Sequence, residues 1–158
     1  MKTRIDFVSN SSSCSFIVND PLKFKDALTE LGSKDGYDLH MLEVRAECSP
    51  EDRKALESQD IMSDAWEYDG ICRFSTSIES LLALDESYFK LVKSIELECD
   101  DYETGNLFML SVLKRALENM GVSVDSSNSE HPLILEDEDN YDGNAFLRNI
   151  CFKAFAAK

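Results

Sequence analysis

Residues Leu42-Glu43-Val44-Arg45-Ala46-Glu47-Cys48 alternate between apolar and charged side chains along their whole length. A period of two marks a half-buried β-strand, with Leu42, Val44, Ala46 and Cys48 facing one way and Glu43, Arg45 and Glu47 the other. The pattern returns at Ile95-Glu96-Leu97-Glu98-Cys99-Asp100, where every polar position is a carboxylate. Strands of this kind belong to a sheet with one packed face and one open face.

Helical signals lie on either side. Asp20 is suited to cap a helix that starts with Pro21, groups Phe24, Ala27, Leu28 and Leu31 on one face, and ends at Gly32. Ser49-Pro50-Glu51-Asp52 joins a cap, a first-turn proline and two carboxylates at the positive end of a short helix. Ser77 is placed to cap a stretch through Leu81, Leu82 and Leu84. From about Thr104 to Met120, Leu107, Leu110, Leu113, Leu117 and Met120 recur at spacings of three and four, and Gly121 closes the helix. The segment from Ala145 to Ala157 fits both periods, and its alanines favour helix. Further short strands are expected at Phe16–Val18, Ile71–Phe74, Val122–Val124 and Leu133–Leu135. Strands and helices alternate, so the expected class is α+β (or α/β), a single domain over residues 1–158 with helices packed on a mixed sheet.

The chain has 158 residues, 31 acidic and 16 basic side chains, and a net charge of −15. A chain of this length buries roughly 70% of its unfolded surface in one core. No apolar run reaches about 18 residues, so no membrane span is expected. Met1 to Asp6 lacks the apolar core of a signal peptide, and a cytoplasmic location follows as the expectation. The acidity argues against direct nucleic-acid binding. The five cysteines, Cys14, Cys48, Cys72, Cys99 and Cys151, form no CxxC pair and read as reduced, mostly buried thiols. His40 and His131 have no cysteine nearby, so neither a metal site nor a cofactor is expected. No GxSxG elbow or Cys/His motif marks a catalytic residue.

Phe7-Val8-Ser9-Asn10-Ser11-Ser12-Ser13-Cys14-Ser15-Phe16-Ile17-Val18 sets a serine-rich segment (9–15) between two apolar clusters. This opening resembles that of many uncharacterised small bacterial and phage proteins, which begin with a block like FVSNSSSSSF; Cys14 stands where that pattern has a serine. The resemblance spans about the first tenth of the chain and implies a prokaryotic or phage cytosolic origin. Read physically, Ser9, Asn10, Ser11, Ser12, Ser13 and Ser15, with Lys2 and Arg4 close by, are candidates to cradle a phosphate- or nucleotide-type ligand. The segment has none of the glycines or the lysine of a GxxxxGK[ST] loop, and the plainer reading is a turn or irregular edge strand.

The charge is unevenly spread. Residues 1–34 hold five basic and four acidic side chains, while residues 35–158 hold 11 and 27. Two clusters stand out: Glu96, Glu98, Asp100 and Asp101, and Glu136, Asp137, Glu138 and Asp139. The second resembles a calcium loop only in part, because Asn149 falls where the closing glutamate belongs. A solvated acidic face is one reading. The other, favoured on function, is a small acidic interaction protein, of the kind that can act as an inhibitor, that docks a basic protein surface through these eight carboxylates. An assembly or structural subunit is a further alternative, and the oligomeric state is left open.

Overall fold

The computed structural model describes residues 13–33, 35–100, 104–126 and 145–156. In these, six strands form one sheet: β1 (Ser13–Val18), β2 (Glu43–Cys48), β3 (Ser63–Tyr68), β4 (Ile71–Thr76), β5 (Ser94–Asp100) and β6 (Val124–Asp125). Six helices accompany them: α1 (Pro21–Leu31), α2 (Arg53–Glu57), α3 (Ile78–Leu82), α4 (Glu86–Phe89), α5 (Thr104–Asn119) and α6 (Ala145–Ala156). The strand order is β3-β4-β2-β5-β1-β6. Every pair in it is antiparallel. The class is therefore α+β, and the sheet is uniformly antiparallel where a mixed one was expected.

The local causes are those written in the sequence. The Asp20 carboxylate accepts from the Lys23 N–H at 3.2 Å, and Pro21 opens α1. At the other end Gly32 takes φ +101°, its N–H donates to Thr29, and the Ser33 N–H donates to Leu28. That is a Schellman closure, and it satisfies two carbonyls that would otherwise end the helix unpaired. The motif recurs after α5, where the Gly121 N–H reaches the Glu118 carbonyl and the Val122 N–H reaches that of Leu117. Ser77 caps α3 by accepting from the Ser80 N–H at 3.0 Å.

One face of the sheet carries the core. Cys14, Phe16 and Val18 from β1, Val44, Ala46 and Cys48 from β2, Cys72 and Phe74 from β4, and Ile95, Leu97 and Cys99 from β5 are all buried. They pack in one cluster with Leu110, Val112, Leu113, Ala116 and Leu117 of α5 and Phe146, Ile150 and Ala154 of α6. Phe16, Phe24, Phe74 and Phe89 are among the fully buried side chains, and each contributes roughly 1.5–3 kcal/mol. Two asparagines fasten α6 to its neighbours: Asn149 donates to the last carbonyl of α1, Leu31, at 2.8 Å, and Asn119 donates to Lys153 at 2.9 Å.

Four of the cysteines face one another directly across strands, Cys14 opposite Cys99 and Cys48 opposite Cys72. All four are buried thiols. Burial first, and the neighbouring Cys72 second, push the Cys48 thiol up to about 12.

Two elements were not foreseen. β3 lies at the sheet edge and has almost no buried side chain, so the apolar rhythm that reveals a strand is absent. The turn after it does carry a signal, Asp69-Gly70 with φ +55° and +79°, the primed geometry of a two-residue hairpin. The other is α4, a single turn that follows α3 after a short break. The strand expected at Leu133–Leu135 and Glu136 to Asp139 of the partial calcium loop lie outside the described residues, while the loop's closing position, Asn149, falls in α6.

Candidate functional site

No described helix covers the second face of the sheet in the core cluster, and the strand register fixes what that face displays. Along one row Ser75, Arg45, Glu96 and Ile17 stand side by side from β4, β2, β5 and β1, with Asp125 of β6 beyond. The next row holds Trp66, Arg73, Glu47 and Ser94. On the opposite flank Glu43 faces Glu98, which faces Ser15 in turn. Tyr68 and Ile71 end the face at the β3–β4 hairpin.

An ionic lattice crosses its centre. Arg73 Nη2 lies 2.6 Å from Glu96 Oε1, and Arg45 Nε lies 3.4 Å from the same oxygen. Arg45 also binds Glu98 through Nη2. Glu47 stands 3.7 Å from Arg73 Nε and accepts from the Ser94 hydroxyl at 3.2 Å. Glu96 is only 9% exposed, and two guanidiniums offset the desolvation of its charge. Glu43 and Glu98, like charges directly opposite, would destabilise the β2–β5 pairing, and Arg45 relieves this by holding Glu98.

Among the described residues this face presents six carboxylates, Glu43, Glu47, Glu96, Glu98, Asp100 and Asp125, against the guanidiniums of Arg45 and Arg73. It also presents large apolar groups to solvent: Trp66 is 45% exposed, Tyr68 77% and Ile71 44%.

Of the residues singled out in the sequence, Glu96, Glu98 and Asp100 fall together on this face. Glu96 and Glu98 have their charge engaged within the protein, so the outward acidity rests more on Asp100 and on Glu43, which the sequence reading had not selected. Ser13 and Ser15 lie in β1 opposite Asp100 and Glu98. Glu98, the cross-strand neighbour of Ser15, is held by Arg45. Lys2, Arg4, Ser9, Asn10, Ser11, Ser12, Asp101, Glu136, Asp137, Glu138 and Asp139 lie outside the described residues.

Among the described residues no group of three or more His, Cys, Asp or Glu side chains is arranged to hold a metal ion. No described helix is long and apolar enough to cross a membrane. Comparisons with protein-family models, with curated proteins and with solved structures returned no match.

Proposed function

We propose that this chain is a small, non-catalytic, cytoplasmic interaction protein of phage or bacterial type, whose open sheet face docks a basic surface on a partner protein. Occupying that surface would block whatever anion it otherwise holds, which is how such a protein inhibits. One observation carries the reading. Among the described residues, a sheet face that no described helix covers bears six carboxylates and two arginines, and both arginines are bound into the carboxylate lattice. The remaining potential is negative and lies beside exposed aromatic side chains, the residue types that dominate binding energy at protein interfaces.

A hexa-arginine peptide, titrated by calorimetry at increasing salt, tests the reading. Binding weakens steeply with salt if the charges steer and hold the peptide. The combined reversal Glu43→Lys, Asp100→Lys and Asp125→Lys lowers affinity about tenfold or more, because three favourable charges become repulsive. Reversal of Asp26, Glu30 and Glu86 to lysine changes the net charge equally but leaves the open face intact. Equal losses in the two triple variants would reduce the effect to bulk acidity and remove this face as the docking site.

A further inference from the structure

The hairpin end of the open face has a shape and chemistry of its own. Glu47, Trp66, Tyr68, Asp69, Ile71 and Arg73 line a hollow of about 210 Å³. Strand register brings Trp66 beside Arg73 and Tyr68 beside Ile71. Asp69 belongs to the Asp69-Gly70 turn, where both residues have positive φ, and it is part of the lining.

Arg73 has its charge engaged toward the sheet centre, 2.6 Å from Glu96 and 3.7 Å from Glu47. Among the described residues, the Asp69 carboxylate has no hydrogen bond or ion pair, and neither the Trp66 nor the Tyr68 ring has a ring or cation partner. By contrast Phe89 has Lys25 over its ring at 5.1 Å. The Glu47 oxygen that faces Arg73 is 3.7 Å away, beyond hydrogen-bond reach, so it retains capacity to accept.

We infer that this hollow is the anchor point of the docking face and takes one arginine side chain from a basic protein segment. Trp66 and Tyr68 offer faces on which a planar guanidinium stacks, and Glu47 and Asp69 offer carboxylates to its N–H fork. Aliphatic stem contacts fall to Ile71. The inference rests on the docking reading above and adds to it a location and a side-chain type. Charge complementarity selects the occupant: two aromatic rings alone would accept any apolar group, but two carboxylates at their edge penalise an apolar or anionic one.

The sequence has a single tryptophan, so Trp66 reports on the hollow directly. Saturation with the hexa-arginine peptide is expected to change Trp66 emission. In calorimetry the double variant Trp66→Ala, Tyr68→Ala is expected to bind about tenfold more weakly than the unmodified protein, as loss of two cation–π contacts requires. Binding within about twofold, with Trp66 emission unmoved by peptide in the unmodified protein, overturns the anchor and leaves the acidic-face reading standing. Failure of the unmodified protein to bind at low salt removes that reading and the anchor with it. If the double variant melts well below the unmodified protein, Asp69→Asn decides, since asparagine tolerates the positive φ of the turn. It should weaken binding about threefold or more while melting normally, and unchanged affinity would overturn the anchor.

Discussion

Glu96 joins strands β2, β4 and β5 through charge, and replacing it by glutamine removes the charge with little change of shape. Its Oε1 accepts from Arg73 at 2.6 Å and from Arg45 at 3.4 Å. A charge-assisted hydrogen bond contributes about 1.5–3 kcal/mol, and the shorter contact falls in that class. The longer one adds little, because Arg45 retains Glu98. Two effects reduce the cost. The guanidiniums are 28% and 34% exposed and recover hydration, and loss of one carboxylate relieves repulsion from Glu47 and Glu98. We expect a net loss of about 2 kcal/mol for Glu96→Gln. In a chain of 158 residues that lowers Tm by roughly 4–8 °C. Urea unfolding followed by circular dichroism measures the change in free energy, and a cycle with Arg73→Met isolates the pair. The control is Glu118→Gln, which breaks an exposed ion pair of 3.0 Å to Lys114 on α5 and should cost less than about 0.5 kcal/mol. Equal losses in the two variants would show that the sheet lattice is no stronger than a surface pair, and the argument would fail.

Two glycines separate strain from collision. A Cβ on Gly36 would lie 2.3 Å from Ile78 Cγ2, and Ile78 is 2% exposed, so Gly36→Ala should cost about 2–3 kcal/mol in urea unfolding. Gly70 shares a positive φ but has nothing within 4 Å, and Gly70→Ala should cost only about 1 kcal/mol; similar losses would contradict this division. Cys48 adds a pH dependence. Its folded pKa of about 12 lies above the unfolded value near 9, so above pH 9 the unfolded chain releases the proton first and stability falls as pH rises. Melting between pH 8 and 10.5 should show a downward slope that Cys48→Ala reduces, and an unchanged slope would count against it. Among the five cysteines, iodoacetamide at pH 8 should label half-buried Cys151 before the four buried ones, as read by mass spectrometry of peptides.

How far the sequence could be read follows from how local each cause is. Caps and closures act within a few residues, and Asp20, Pro21, Gly32, Ser77 and Gly121 each do in the fold what their neighbourhood suggests. The one-sided burial of β2 was equally plain, because alternation records which face is wet; β5 has the same alternation, but its Ser94 and Glu96 are buried on the polar face as well. Edge strand β3 lacked that record, with water on nearly every side chain. The lattice was hidden for another reason: Glu96 meets Arg73 and Arg45 across 23 and 51 residues of chain, and only strand order brings them together. A run of like charges on β5 therefore reads as bare acidity until its cross-strand partners are known.

The strand order also has a consequence in time. β1 begins the described chain, yet its neighbours are β5 and β6, and the register sets Val18 against Ile95. During synthesis at about 5–20 residues per second, β1 therefore waits several seconds for its first partner strand. Throughout that interval Cys14, Phe16 and Val18, later the floor of the core, are exposed as an unpaired apolar stripe. The β2–β4 and β3–β4 pairs can close first. The chain thus builds its sheet from the middle and one side, and of the described strands the one made earliest is fitted late, which makes β1 the described strand most in need of protection from other chains.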